Sequence, residues 1–515
     1  MQTGRPHAVG VKGEAPGTPG ISRRAFLTQA AAGSGALARI AGGGAGLSAF
    51  LAACDGGSGG TGPGNGGDPA DTRFRLRLPP AVNPLNLDLT ATPTQVDIGG
   101  GLAAPVWALN GQVPSPLLRV QRGGRLRITM RNQLPQDLIL HWHGLAPPEA
   151  MDGHPRFAVG TGGTYDYDFT VEDRAGTYWY HSHTHHVTGE QTYRGIAGLL
   201  LVEDAEEAAL GLPSGAREIP LILQDRRVDG AGIPVYDPTG PAMMAGVMGP
   251  VPFGNGVRQP FVEVDSALYR LRILNGSNAR IFRLGMSDQR PLVLIGNDGG
   301  LVDQPHTLSS VDMAPAERVD LLLDLRNLQE GGRVMLRSLS FSMLGGMGFM
   351  GGANLQGDPL DLLEFRVTRR VEDSTPIPVS LPAVPGPGAG APVRERTFRF
   401  TSQQMSHRIN GVEFEMDRID ERVPFGDLEV WTFINESGLP HPVHVHATHF
   451  QVLSRTGGRG QVFPWESGRK DTVLLHPFET VRVALRFTAH RGLFLLHCHN
   501  LEHEDHGMMQ NILVE

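Results

Sequence analysis

Residues 497–509 read H-C-H-N-L-E-H-E-D-H-G-M-M and follow the apolar run G-L-F-L-L at 492–496. In an extended chain, side chains i and i+2 share a face while i+1 points the other way. A strand through this stretch sends His497 and His499 to one side and Cys498 to the other. Imidazole ligates copper, zinc and iron in its neutral form. One tripeptide can therefore touch two metal centres at once.

Three further histidine blocks extend the pattern: H-W-H-G (His141, His143), H-S-H (His181, His183) and H-P-V-H-V-H (His441, His444, His446). With His497, His499 and His503 they hold ten of the 20 histidines. Sorting by strand face gives two sites. His441 lies three residues before His444, so it falls on the opposite face if the strand continues through Pro442. One site then collects Cys498, His441 and His503, with Met508 nearby. Two imidazoles, a thiolate and a weak thioether are the ligand set of a blue-copper electron-transfer centre. The other site collects eight imidazoles: His141, His143, His181, His183, His444, His446, His497 and His499. Eight donors are too many for one ion and suit a cluster of about three. A single H-x-H would be a weak signal; four of them in register with a cysteine and a methionine are not.

Away from the histidines the chain reads as strands. In R-L-R-I-T-M-R-N at 125–132 the apolar residues alternate with polar ones, the period of a half-buried strand. Y-R-L-R-I-L-N at 269–275 and L-E-V-W-T-F-I-N at 428–435 read alike, and each closes on an Asn. An internal repeat links the two ends. Asn110-Gly111 precedes His141 and Asn410-Gly411 precedes His441, both by 31 residues. The middle stretch has the strand but no histidine cluster, which makes it a spacer of the same fold. With 515 residues, 68 Gly and 39 Pro, the chain suits about three strand-rich domains. Their expected extents are 72–205, 206–377 and 393–515, with a Pro/Gly linker at 378–392. A net charge of −8 excludes a broadly basic nucleic-acid binder. Two cysteines cannot build a disulfide framework.

The first 54 residues read as an export signal. S-R-R-A-F-L at 22–27 is a twin-arginine motif, and the apolar stretch after it ends in L-A-A-C at 51–54. This places Cys54 as a lipid-bearing cysteine, residues 55–71 as a Gly-rich tether, and the protein in the periplasm or cell envelope.

The four histidine blocks, with H-C-H-x-x-x-H-x-x-x-x-M at 497–508, resemble the multicopper oxidases, and closest the bacterial copper-efflux oxidase and bacterial laccase branch. The resemblance covers essentially everything after the tether. It implies an all-β chain of three cupredoxin-like Greek-key β-sandwiches and four copper ions. By motif, His441, Cys498, His503 and axial Met508 would hold type 1 copper. His141 and His444 would hold type 2, and His143, His181, His183, His446, His497 and His499 the type 3 pair. Asp152 in M-D-G and Glu504 after His503 match carboxylates that orient cluster water and relay protons.

The implied reaction couples one-electron oxidation of a small reductant to reduction of O2 to water by a monomer, with phenols and aromatic amines the first choice. A cuprous-ion oxidase is the alternative. It is weakened because Ser437 and Leu439 stand where the copper-efflux enzymes carry an Asp/Met pair. Met343, Met347 and Met350 form a small methionine group, either a soft copper site or a gap-filling loop. A copper-free exported structural protein of the same fold is the reading from another class, and such relatives lose ligands that this chain keeps. A two-domain nitrite reductase would be shorter and lack the full set of H-x-H pairs. His185, His186, His449 and His506 fit no ligand position and read as neighbours or surface residues.

Overall fold

The computed structural model describes residues 72–343, 355–387, 390–403 and 406–515. The signal, Cys54 and the tether lie outside the described residues, as do Met347 and Met350. The described chain is built of strands with a few short helices, arranged in six sheets. Among the described residues no helix is long and apolar enough to cross a membrane.

The sheets pack in pairs around three apolar cores. In the first, the sheet of strands 103–109, 85–97, 125–132 and 164–170 faces a sheet that contains 117–121, 197–203, 176–182 and 140–143. Leu126, Ile128 and Met130 fill the space between them with Trp142, Tyr178 and Tyr180. Arg125, Arg127 and Arg131 stay outside, as the alternation at 125–132 requires. The third sandwich repeats the plan. Strands 394–403, 429–435, 480–485 and 450–456 face a sheet containing 509–514, 492–498, 441–445 and 472–475. Phe433, Val443, Phe494 and Cys498 share its core. The middle sandwich has larger sheets and a core of its own, with Leu271, Ile273 and Phe365 in it. Phe74–Arg75 pairs with 260–261 at the edge of a middle-sandwich sheet, and Leu76 joins that core.

The strand at 268–275 departs from the half-buried expectation: it is buried on both faces. Arg270 and Arg272 point away from the core but not into solvent, because Glu207, Glu218 and Asp320 pair with them. Tertiary packing covers the polar face, and the carboxylates make that burial tolerable.

Two sequence repeats are structural devices. Asn110-Gly111 and Asn410-Gly411 both take positive φ at each residue, and the asparagines bond across to the neighbouring strands 85–97 and 394–403. The strand-closing asparagines Asn132, Asn275 and Asn435 form another set. Each side-chain oxygen accepts the N–H two residues on, and each side-chain NH2 donates to one carbonyl four or five residues on and to one from a distant segment, Val159, Met313 and His476 respectively. In the outer sandwiches this turn leads directly into the strands that carry His141 and His441.

Candidate metal centres

The strand Gly492–Cys498 lies between 441–445 and 509–514, with Val443 opposite Cys498 and His444 opposite His497. The strand His441–Val445 runs through Pro442, so His441 reaches the Cys498 side as expected. There His441 Nδ1 lies 3.5 Å from Cys498 Sγ and His503 Nδ1 lies 3.6 Å from it. The two Nδ1 atoms are 3.2 Å apart. His503 sits on the short helix Leu501–Asp505 and donates its Nε2–H to the Met244 carbonyl at 2.8 Å, which leaves Nδ1 a bare lone pair. Ser437 Oγ holds His441 Nε2 at 2.9 Å. Met508 is fully buried in the same core as Cys498, and the Cys498 N–H donates to the Met508 carbonyl. Burial pushes the Cys498 thiol up and both imidazoles down, His441 to about 3. A buried thiol that resists ionisation, facing two neutral nitrogen lone pairs, is a site that a cation would stabilise as thiolate.

On the other side of the strand the eight imidazoles converge, all buried. His141 and His181 are cross-strand partners, as are His444 and His497. Outward-facing ring nitrogens are held by oxygen acceptors. His141 Nδ1 donates to the Asp152 carbonyl (2.6 Å), His444 Nδ1 to the Asp471 carbonyl (2.8 Å), and His446 Nδ1 to Asp152 Oδ2 (2.7 Å). His497 Nδ1 donates to the Cys498 carbonyl (3.2 Å) and lies 3.2 Å from Glu504 Oε2. These contacts fix the tautomers and leave Nε2 unprotonated. Yet His141 and His444 Nε2 face each other at 3.4 Å, and His446 and His497 Nε2 at 3.1 Å. Two lone pairs at hydrogen-bond distance repel unless a cation lies between them. His143 Nδ1, His181 Nε2 and both nitrogens of His499 are buried without a hydrogen-bond partner among the described residues. Desolvation lowers the basicity of His141, His143, His181, His183, His444, His446 and His499, which keeps these rings neutral and able to ligate. The donor set fits a multinuclear site for a metal that accepts imidazole.

The two carboxylates singled out in the sequence both touch this cluster. Asp152 follows a short 3-10 turn, and Gly153 after it has φ +89°. A Cβ at Gly153 would sit 2.3 Å from the Leu140 carbonyl, so this close approach requires glycine. Burial pushes Asp152 well up. Glu504 lies 3.8 Å from His183 Nε2 and 3.2 Å from His497 Nδ1. Burial opposes its ionisation, but His183 and His497 outweigh that and hold it at about 2.

Asp471 is the residue that reading the sequence missed. Its Oδ1 lies 3.0 Å from His143 Nε2, and its carbonyl holds His444. Arg318 of the middle sandwich clamps its carboxylate at 2.8 and 2.5 Å. Arg318 is itself held by the Thr177 and Asp298 carbonyls, and Lys470 Nζ bonds Asp298 Oδ2. The middle segment is therefore more than a spacer: it supplies Arg318 to one site and the Met244 carbonyl to the other. His407, also missed, stacks on His503 with centroids 4.0 Å apart. His185, His186, His449 and His506 belong to none of the converging donor groups among the described residues. Met343 packs half-buried against Ile281, Ala314 and Leu474.

Known proteins match this arrangement. The family described as "Multicopper oxidase" matches residues 90–207 and 390–515. Bilirubin oxidase of Albifimbria verrucaria is 34% identical, covering 79% of this chain and 72% of its own length. A laccase of Bacillus stratosphericus is 29% identical over 79% and 90% of the two chains. The cell division protein FtsP of Dickeya dadantii is 32% identical over 80% and 85%. The crystal structure of the McoA multicopper oxidase of Aquifex aeolicus superposes with a TM-score of 0.78 at 32% identity, covering 86% of this chain and all of that one. The all-β fold, the converging histidines around one buried cysteine and these matches agree: the chain belongs to the multicopper oxidase family.

Proposed function

We propose that the protein is a laccase-like oxidase that holds four copper ions and couples one-electron oxidation of phenols or aromatic amines to the reduction of O2 to water. His441, Cys498, His503 and Met508 hold type 1 copper. His141 and His444 hold type 2, and His143, His181, His183, His446, His497 and His499 hold the type 3 pair. Copper, when bound, supplies the one-electron chemistry at the cysteine site and the O2 chemistry at the histidine cluster.

The chain's own residues do the rest. Cys498 and its flanking histidines join the two sites covalently, so an electron need cross only one tripeptide. Ser437 and the Met244 carbonyl orient the rings of His441 and His503. Asp152 and Asp471 orient His446 and His143 and hold the tautomers that ligation needs. Asp152 and Glu504 border the cluster where the protons consumed by O2 reduction must arrive. The observation that carries this reading is the set of opposed Nε2 lone pairs, at 3.4 and 3.1 Å, beside a buried neutral thiol.

The similarity to a cell division protein keeps a copper-free structural role as the reading from another class, and the complete donor set weighs against it. The wider assignment has three sandwich domains bounded near residues 206 and 392, twin-arginine export, a lipid on Cys54 and a monomer in the cell envelope. Export and the lipid rest on the motifs at 22–27 and 51–54, and the domain bounds on the Pro/Gly stretch at 378–392 and the repeat between the outer segments. The test is to load the purified chain with copper, count bound metal, record the blue thiolate charge-transfer band, and follow O2 uptake with a phenol and with cuprous ion. A blue band, about four copper ions and phenol-dependent uptake are expected. No blue band, or a single copper per chain, overturns the oxidase; uptake with cuprous ion alone moves the substrate to metal ions.

A further inference from the structure

A cavity of about 680 Å³ opens where the first and third sandwiches meet the linker. Its wall carries four arginines: Arg122, Arg174, Arg469 and Arg486. Arginines elsewhere in the described chain commonly have a carboxylate within ion-pair distance, as Arg270, Arg318 and Arg455 do. No such pair is formed by any of these four among the described residues. Three of them spend Nε on backbone oxygens: Arg122 on Glu172, Arg469 on Pro385 and Arg486 on Pro387. Among the described residues Arg174 makes no side-chain hydrogen bond, and its Nη1 is buried without a partner; His449 Nε2, on the same wall, is also buried and without a hydrogen bond among them.

Two carboxylates oppose them. Glu172 is solvent-exposed, and Asp173 accepts the Ala146 N–H. The balance is still net positive, in a chain whose overall charge is −8. Burial and the neighbouring Arg174 and Arg122 lower the basicity of Arg469 by more than Tyr178 and Asp173 raise it, as expected where cations outnumber their counter-ions. Guanidinium groups present a planar fork that fits carboxylate and phosphate oxygens in pairs. The volume lies within the range of about 300–1,000 Å³ typical of small-molecule sites.

We infer that this cavity is a binding site for a multivalent oxyanion, a phosphate- or polycarboxylate-bearing small molecule held by Arg122, Arg174, Arg469 and Arg486. The site is distinct from the copper centres, though not remote: His449 on its wall lies 3.8 Å from Asp471 Oδ2. The inference does not depend on the oxidase reading, because the cavity's charge is set without metal.

The test is isothermal titration of the copper-loaded full chain at low ionic strength, with inorganic phosphate, citrate and chloride as separate probes. Saturable binding of phosphate or citrate is expected, with chloride far weaker; which of the two binds tighter distinguishes the phosphate source from the carboxylate source. Arg174→Gln should weaken binding about tenfold, and Arg174→Gln/Arg469→Gln should abolish it, while Arg369→Gln, an exposed middle-sandwich residue paired to Asp265 and outside the cavity wall, changes nothing. The melting temperature without anion separates a structural role from a binding one. Relief of repulsion should leave Arg174→Gln at least as stable as the parent. No saturable binding, unchanged affinity in the double variant, or an Arg174→Gln chain that melts well below the parent overturns the site.

Discussion

Cys498 has one side chain and two neighbourhoods. Its Sγ faces His441 and His503, while the residues on either side of it face the other histidines. Cys498→Ser should abolish the blue band and turnover while the histidine cluster still takes up copper; colour that survives would refute the ligand assignment. Asp471 works differently, because it holds ligands and is held by a buried cation. Asp471→Asn leaves Arg318 buried and under-compensated, a situation that costs on the order of 3–5 kcal/mol. The expected result is a large loss of denaturant stability together with altered type 3 spectra, since the side chain holds His143. A variant as stable as the parent would mean that the Arg318 clamp is unimportant. Cys498 was legible because an isolated cysteine between two histidines has a spacing to read. Asp471 has none: it is one carboxylate beside Lys470, ahead of the apolar strand T-V-L-L at 472–475. A charged doublet abutting a buried strand was the only signal available.

The recurring element is a strand that ends on an Asn whose side chain ties the next turn. At Asn435 the turn also contains Ser437, whose hydroxyl holds His441. Asn435→Ala should therefore lower stability by about 1–3 kcal/mol and also shift the blue band. Asn132→Ala should lower stability with the blue band unchanged, since its turn leads to His141 and not to the cysteine site. Thermal melts and visible spectra of the two variants decide this, and equal spectra would remove the proposed coupling. Period-two alternation predicted the strand at 125–132 well, because a face toward solvent and a face toward a core leave a written pattern. It described 268–275 less well. The arginines there look like a wet face and are covered by Glu207, Glu218 and Asp320 from elsewhere in the chain.

Over the whole molecule, such buried ion pairs brace the middle sandwich internally, and Arg119 of the first sandwich joins them at Glu218. Burial alone would raise Glu207, but Arg272 and Arg270 outweigh it and hold the carboxyl at about 2, below the ordinary 4.5. A carboxylate depressed in the folded state contributes stability that is complete above its unfolded value and lost as pH falls through the folded one. Melting temperature should therefore drop between about pH 4.5 and 2, and Glu207→Gln should flatten that part of the curve. An unchanged slope in the variant would show that the acid sensitivity lies elsewhere. The sequence by itself determined the strand class, the repeat between the two ends and the sorting of ten histidines and one cysteine to two sides of one strand. All of these follow from the fixed alternation of an extended chain, which is local. The tertiary structure alone decided the service of Arg318 and the Met244 carbonyl from the middle sandwich, the role of Asp471, and the convergence of four arginines on one cavity. Those depend on which buried charge meets which partner across more than a hundred residues of chain, and no local period encodes that.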